Sequence, residues 1–161
     1  MEITLEDLTA WMQKTTEVKQ NKLVLHHSDG SMCIWGALCS TQAEKLGLKV
    51  ELYRSLTLKE TVYSYEGEFL LPPNRVSRHF GMEVHKDRGG IPFEILNLKE
   101  QQDIRADRLT MGFSRSQLQA PIGFLDANQY FSFDRLRELI PQSVTIIDNY
   151  GKRKPVVQPG Q

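Results

Sequence analysis

Leu5, Leu8, Trp11, Met12 and Val18 fall largely on one face of a helix, and Thr4 stands three residues ahead of Asp7, where a hydroxyl can cap the first turn. The pattern predicts an amphipathic helix over 5–19. Residues 22–26 form a short apolar run ended by Ser28-Asp29-Gly30-Ser31, a tight-turn composition, and predict a strand. Met32, Trp35, Leu38, Cys39, Ala43 and Leu46 return to helical spacing, with Gly47 placed for a left-handed helix stop. Leu48, Val50 and Leu52 then alternate with Lys49, Glu51 and Tyr53, the period-two pattern of a half-buried strand.

Residues 57–71 are rich in Thr, Val, Tyr and Phe, and Glu66-Gly67 is placed to turn 61–65 back onto 68–71 as a hairpin. Pro72-Pro73 ends that strand and opens a short helix over 74–80, stopped at Gly81. Residues 82–85 read as a strand or extended chain, and 86–90 as a polar, flexible surface loop. Pro92 can start a helix through Phe93, Leu96 and Glu100, with the polar run 101–108 facing solvent or loosening into a connector. Ser114 and Gln117 form a capping box leading into Leu118, Ile122 and Leu125, a helix that Pro121 and Gly123 must shorten or kink. Ser132 caps a last helix over 133–140 with Phe133, Leu136, Leu139 and Ile140 on one stripe, and 143–147 has strand propensity.

Strands and helices interleave without the regular cadence of a doubly wound sheet. The middle hairpin favours a small antiparallel sheet with four to five helices packed on it, an α+β fold. With 161 residues, 40% of them hydrophobic, one domain over 1–150 is the default reading, and 151–161 reads as a mobile tail containing Lys152-Arg153-Lys154.

Composition narrows the function classes. Twenty basic and twenty acidic side chains cancel, so a domain-wide basic footprint for nucleic acid is missing. No run approaches the ~18 apolar residues of a membrane span, and Met1-Glu2-Ile3 lacks a basic signal-peptide start, so a cytoplasmic location with no membrane partner is expected. Cys33 and Cys39 are the only cysteines, six positions apart and on different helix faces, so reduced, buried thiols are expected. The four histidines offer no ligand spacing for a metal, and no cofactor is expected.

Two constellations could carry function. Cys33 opens a helix after a Gly-containing turn, where helix-end N–H groups favour a thiolate. In outline this resembles papain-like and transglutaminase-like thiol hydrolases, with His79 or His85 as base and Asp87, Glu83 or Glu94 as its orienter. Alternatively, Tyr53, Tyr63, Tyr65 and Phe69 offer an aromatic contact face on the hairpin, joined by Lys86 and Arg88 of the Gly89-Gly90 loop. Tyr63 and Tyr65 share a strand face: exposed together they mark a partner site, buried together they are core.

Cys33-Ile34-Trp35-Gly36-Ala37-Leu38, and later Leu125-Asp126-Ala127-Asn128 ahead of Phe133 and the final helix, resemble an uncharacterised family of small phage and bacterial domains. That family pairs a Cys-x-x-Gly-Ala-Leu helix with an Asn-Asp segment before a Phe-containing helix; Leu125 stands here in place of that Asn. The resemblance implies a phage- or mobile-element-borne accessory protein and no activity. A non-enzymatic protein-interaction module, an inhibitor or regulator of a macromolecular partner, therefore ranks first. A Cys33 hydrolase or acyltransferase ranks second and a nucleic-acid binder using 152–154 third, with oligomeric state open.

Overall fold

The structure, a computed structural model, describes residues 1–82, 90–148 and 150. The expected strand or extended chain at 82–85, beyond Met82, the loop up to Gly89, with His85, Lys86 and Arg88, and the basic tail lie outside the described residues. Among those described, six α-helices combine with two short strand pairs in an α+β fold.

The chain starts with a strand too short for its pattern to announce. β1 (Glu2–Thr4) lies parallel to β4 (Thr145–Ile147), in the register Glu2↔Thr145, Ile3↔Ile146 and Thr4↔Ile147. The strand expected at 143–147 therefore finds its partner at the opposite end of the chain. Helix α1 (Leu5–Glu17) follows, and Thr4 Oγ1 accepts the Asp7 N–H at 3.1 Å, the cap expected from the sequence.

Helix α2 (Ile34–Gln42) is shorter than the 32–46 expected, because Cys33 is extended and serves as its N-cap. Gly47 nonetheless adopts the left-handed conformation, with φ of 62°. Helices α1 and α2 meet through Trp11 and Trp35, stacked at 6.1 Å, with Phe124 edge-on to both rings. The Trp11 indole N–H donates to the Ile34 carbonyl at 2.8 Å. Residues 22–26 are not a regular strand. Their peptide groups are divided among several neighbours: Leu25 N–H donates to Phe69, the Leu25 carbonyl accepts from Cys33, and the His26 carbonyl accepts from Tyr63. Among the described residues no one strand runs alongside them to make a ladder.

β2 (Val50–Ser55) and β3 (Glu60–Tyr65) form the hairpin, antiparallel from Val50↔Tyr65 to Ser55↔Glu60. The turn expected at Glu66-Gly67 is present, both residues having positive φ, and Tyr65 and Glu68 exchange backbone hydrogen bonds at 2.8 and 2.9 Å. Beyond that exchange the chain departs, so the partner of β3 is the strand before it rather than 68–71.

Helix α3 (Asn74–His79) stops at Gly81 as expected, with Pro73 as its cap residue. Pro92 leads only to a single 3-10 turn, Phe93–Ile95. The full helix, α4 (Leu98–Thr110), starts at a reciprocal capping box in which Asn97 and Glu100 satisfy each other's backbone N–H at 2.8 and 2.9 Å. The polar run 101–108 is thus helix, burying only Ile104 and Arg108 of its side chains. The Ser114–Gln117 box opens just one 3-10 turn, Arg115–Gln117. The carbonyls that a longer helix would have satisfied are taken instead by the Arg108 guanidinium, which donates to Gln117, Leu118, Ala120 and Pro121 at 2.8–3.3 Å. Helices α5 (Phe124–Tyr130) and α6 (Phe133–Leu139) complete the layer, α6 capped by Ser132. One buried cluster, including Ile3, Trp11, Leu38, Phe80, Ile104 and Leu136, runs through these elements. Among the described residues no helix is long and apolar enough to cross a membrane.

Candidate functional site

In this two-stranded sheet the outer side of β3 is covered by the chain at 26–28, whereas the outer side of β2 is an open edge among the described residues. The N–H groups of Tyr63 and Ser28 donate to His26 and Thr61 across one side of β3, and Tyr65 N–H points the same way, toward Glu68. Backbone groups alternate along a strand, so those of Glu60, Val62 and Ser64 face β2, where they meet Ser55, Tyr53 and Glu51. The Glu66 N–H to Lys49 carbonyl bond, at 2.8 Å, continues the same alternation. The N–H and C=O groups of Val50, Leu52 and Arg54 therefore point outward, and no strand lies beside them among the described residues.

The side chains along this edge are apolar and uncovered. Leu52 is 62% and Leu56 85% exposed, with Val50 and Tyr53 also exposed. The alternation of Leu48, Val50 and Leu52 predicted one buried face, and the structure corrects this. Leu48 is buried, but Val50 to Arg54 are exposed on a strand paired to β3, with the Tyr53 ring set against Phe69. Charged Lys49, Glu51 and Arg54 interrupting the apolar residues are the sequence signal of an edge strand, and could have revealed it.

The hairpin aromatics divide. Tyr63 and Tyr65 share a face, as the period requires, and both rings meet His26. Tyr63 stacks on the imidazole at 4.2 Å, and the Tyr65 hydroxyl lies 2.7 Å from His26 Nδ1 with only 2% of the residue exposed. Burial pushes the Tyr65 phenol well above its ordinary range, and burial followed by the nearby Lys14 charge lowers His26. Tyr53 is on the opposite face, its ring 5.4 Å from Phe69, and remains open to solvent.

Cys33 opens α2, but its environment is dry. It is 3% exposed, its sulfur accepts the Gly36 N–H at 3.4 Å, and burial pushes the thiol up to about 11, so desolvation outweighs the helix-end N–H groups. Cys39 is shifted upward further, again by burial first and then by Cys33. Among the described residues no imidazole is hydrogen-bonded to Cys33. His79 is exposed at the end of α3, edge-on to Phe80 at 4.8 Å, where it lines a cleft to which Cys33 does not contribute. His27 is held between Asp29 and Glu60 at 3.2 and 3.6 Å. Among the described residues no three His, Cys, Asp or Glu side chains converge to hold a metal.

Comparison of the chain with known protein families, with curated proteins and with solved structures found no match in any of them.

Proposed function

We propose that this chain is a non-enzymatic protein-binding domain, an inhibitor or regulator of the accessory kind, which captures an extended segment of a partner as an added strand beside β2. The observation that supports this reading is the outward-facing backbone of Val50, Leu52 and Arg54, set among exposed Val50, Leu52, Tyr53 and Leu56. Unpaired edge N–H and C=O groups are a template for another strand, supplying main-chain hydrogen bonds, while alternate side chains supply selectivity. Glu51 and Arg54 on opposite faces of β2 would favour partner segments with complementary charges. The burial and protonation of Cys33 weigh against the thiol-hydrolase alternative.

A random peptide library selected on the intact protein, followed by backbone hydrogen exchange, tests this. Bound peptides are expected to protect the Val50, Leu52 and Arg54 amides. Leu52→Pro removes one outward N–H without touching the β2–β3 ladder and is expected to abolish binding while leaving the melting temperature nearly unchanged. Selected peptides that bind Leu52→Pro as well as the parent, or that protect amides elsewhere, would overturn the proposal.

A further inference from the structure

On its outer side β3 is joined to the chain at 26–28. Tyr63 N–H donates to the His26 carbonyl at 2.8 Å, Ser28 N–H donates to the Thr61 carbonyl at 3.1 Å, and His27 bridges to Val62. The half-buried His26 ring closes over the same contact, stacked on Tyr63 at 4.2 Å with Nδ1 2.7 Å from the Tyr65 hydroxyl.

That hydrogen bond decides which protonation state the contact tolerates. Among the described residues His26 is the one hydrogen-bond partner of the Tyr65 hydroxyl, and burial keeps this phenol protonated far above neutral pH. The hydroxyl therefore donates, Nδ1 accepts, and the ring hydrogen sits on Nε2. An imidazolium carries hydrogens on both nitrogens, so two hydrogens would face each other across 2.7 Å. The hydroxyl must then turn away, and at a residue only 2% exposed its hydrogen meets no other acceptor among the described residues. A bond made to the neutral ring disfavours the charged one.

The surrounding charges act mainly in the same direction. Lys14 on α1 repels a proton from the ring, whereas Asp29 in the following turn attracts one, as the weaker influence and already 3.2 Å from His27. Glu60 on β3 also faces His27, at 3.6 Å. Cys39 of α2, the thiol felt by Tyr65, is kept protonated by burial and supplies no counter-charge.

We propose that His26 is an acid-sensitive clasp, whose protonation parts the chain at 26–28 from β3 and loosens the hairpin while the helical layer stays folded. Parting gives the imidazolium access to water and removes the clash with the Tyr65 hydroxyl. The opening stops at Leu25, which is fully buried and accepts the Cys33 N–H at the start of α2 at 3.2 Å. Loss of strand capture at β2 on acidification rests on the function proposed above; the opening itself does not.

Amide hydrogen exchange in the free full-length protein, corrected for the intrinsic pH dependence of exchange, tests the clasp without any peptide. The opened form carries an ordinary imidazole and the closed form a less basic one, so opening should grow as pH falls below about 6.5. Protection of the Ser28 and Tyr63 amides should fall severalfold between about pH 7.5 and about 5, while that of Leu38 and Leu136 in the helices holds. His26→Asn, which keeps an acceptor near the Nδ1 position and cannot be protonated, should make the Ser28 and Tyr63 protection independent of pH in this range. Tyr65→Phe removes only the hydroxyl and should raise the His26 ring midpoint, followed by its proton chemical shifts, and shrink the acid loss. The clasp is refuted if Ser28 and Tyr63 stay protected through the His26 titration, or lose protection only together with Leu38 and Leu136. It is refuted equally if His26→Asn shows the parent's acid loss or Tyr65→Phe leaves the His26 midpoint in place. Local acid opening in a protein whose selected peptides bind away from β2 would support the clasp and sink the capture reading alone.

Discussion

Asn128 Oδ1 accepts the backbone N–H of Ile34 at 3.0 Å, joining positions 94 apart in the chain. Ile34 is the first residue of α2, and its N–H is one of those that a helix cannot satisfy from within. The same oxygen accepts from Gln20 Nε2 at 3.1 Å, the Asn128 amide nitrogen donates to the Asn21 carbonyl, and Gln20 Oε1 accepts from Phe133 N–H. One buried amide thus fixes the start of α2, the chain leaving α1 and the region of α5 and α6 with respect to each other.

Asn128→Ala is accordingly expected to lower stability by about 2–4 kcal/mol, since it strands the buried Ile34 N–H and the part-buried Asn21 carbonyl as well as removing their partner. Asn128→Asp should also destabilise, because it loses the donor to Asn21 and places a charge at a site only 1% exposed. Urea denaturation of the three proteins checks this; a loss below about 0.5 kcal/mol for the alanine variant would show that the network is not cooperative.

Gly36 is required by contact rather than by conformation. A Cβ at this position would stand 1.6 Å from the Leu25 carbonyl oxygen, and that backbone is held in turn by the Cys33 N–H at 3.2 Å. Gly36→Ala should therefore cost about 3 kcal/mol or more, or prevent folding, because helix and crossing chain must separate. Gly47→Ala meets nothing within 4 Å and should cost only about 1 kcal/mol, from its φ of 62° alone. Thermal unfolding of both variants distinguishes steric from conformational demand, and equal losses would contradict it.

Local signals in the chain were enough to identify α1 with its Thr4 cap, the short α3, α6 with its Ser132 cap, the Glu66-Gly67 turn and the α+β class. Each depends on chemistry within a few residues. What was not legible depends on distant partners. Nothing in three residues of β1 announces pairing with 145–147, and nothing near Gln117 to Pro121 shows that a guanidinium from α4 will occupy those carbonyls in place of a helix. The same holds for the sites. The residue pattern marks Tyr53, Tyr63 and Tyr65 as contact residues, but Tyr63 and Tyr65 are taken up by His26, some forty positions earlier, whereas Tyr53 stays open on the edge strand with Val50 and Leu52.

The ion pair between Arg135 and Glu100 ties α6 to the start of α4, the guanidinium donating through Nε and Nη2 to both carboxylate oxygens at 2.9 and 2.7 Å. The Arg135 hydrogen bond is the main reason the Glu100 carboxyl lies below its ordinary 4.5. The native state therefore holds the deprotonated form more strongly than the unfolded chain does. The stabilisation is full above the ordinary glutamate pKa and is lost as pH falls through the lower native value. His26 adds a separate loss at higher pH. Its native pKa lies below 6.5, so the unfolded chain takes up the proton first as pH falls through that value, and stability declines. Stability measured by urea denaturation from pH 8 to 3 should show both declines, Glu100→Gln flattening the acidic one and His26→Gln the other. Profiles unchanged by these substitutions would exclude the assignments.

Cys33 and Cys39 should both resist iodoacetamide in the folded protein near neutral pH and react in denaturant. Reaction requires thiolate and access, and Cys33 has neither: burial pushes its thiol up to about 11, so well under a thousandth is ionised near pH 7, and the Sγ is enclosed where it caps Gly36. Cys39 is buried in the same helix with its thiol shifted upward as well. Labelling should then proceed only through opening of the α2 region, so its rate should rise with urea in step with unfolding, and Asn128→Ala should accelerate it by weakening the start of α2. Rapid, selective modification of Cys33 in the native state, insensitive to urea below the unfolding transition, would establish an accessible thiolate and return the thiol-hydrolase reading to first place.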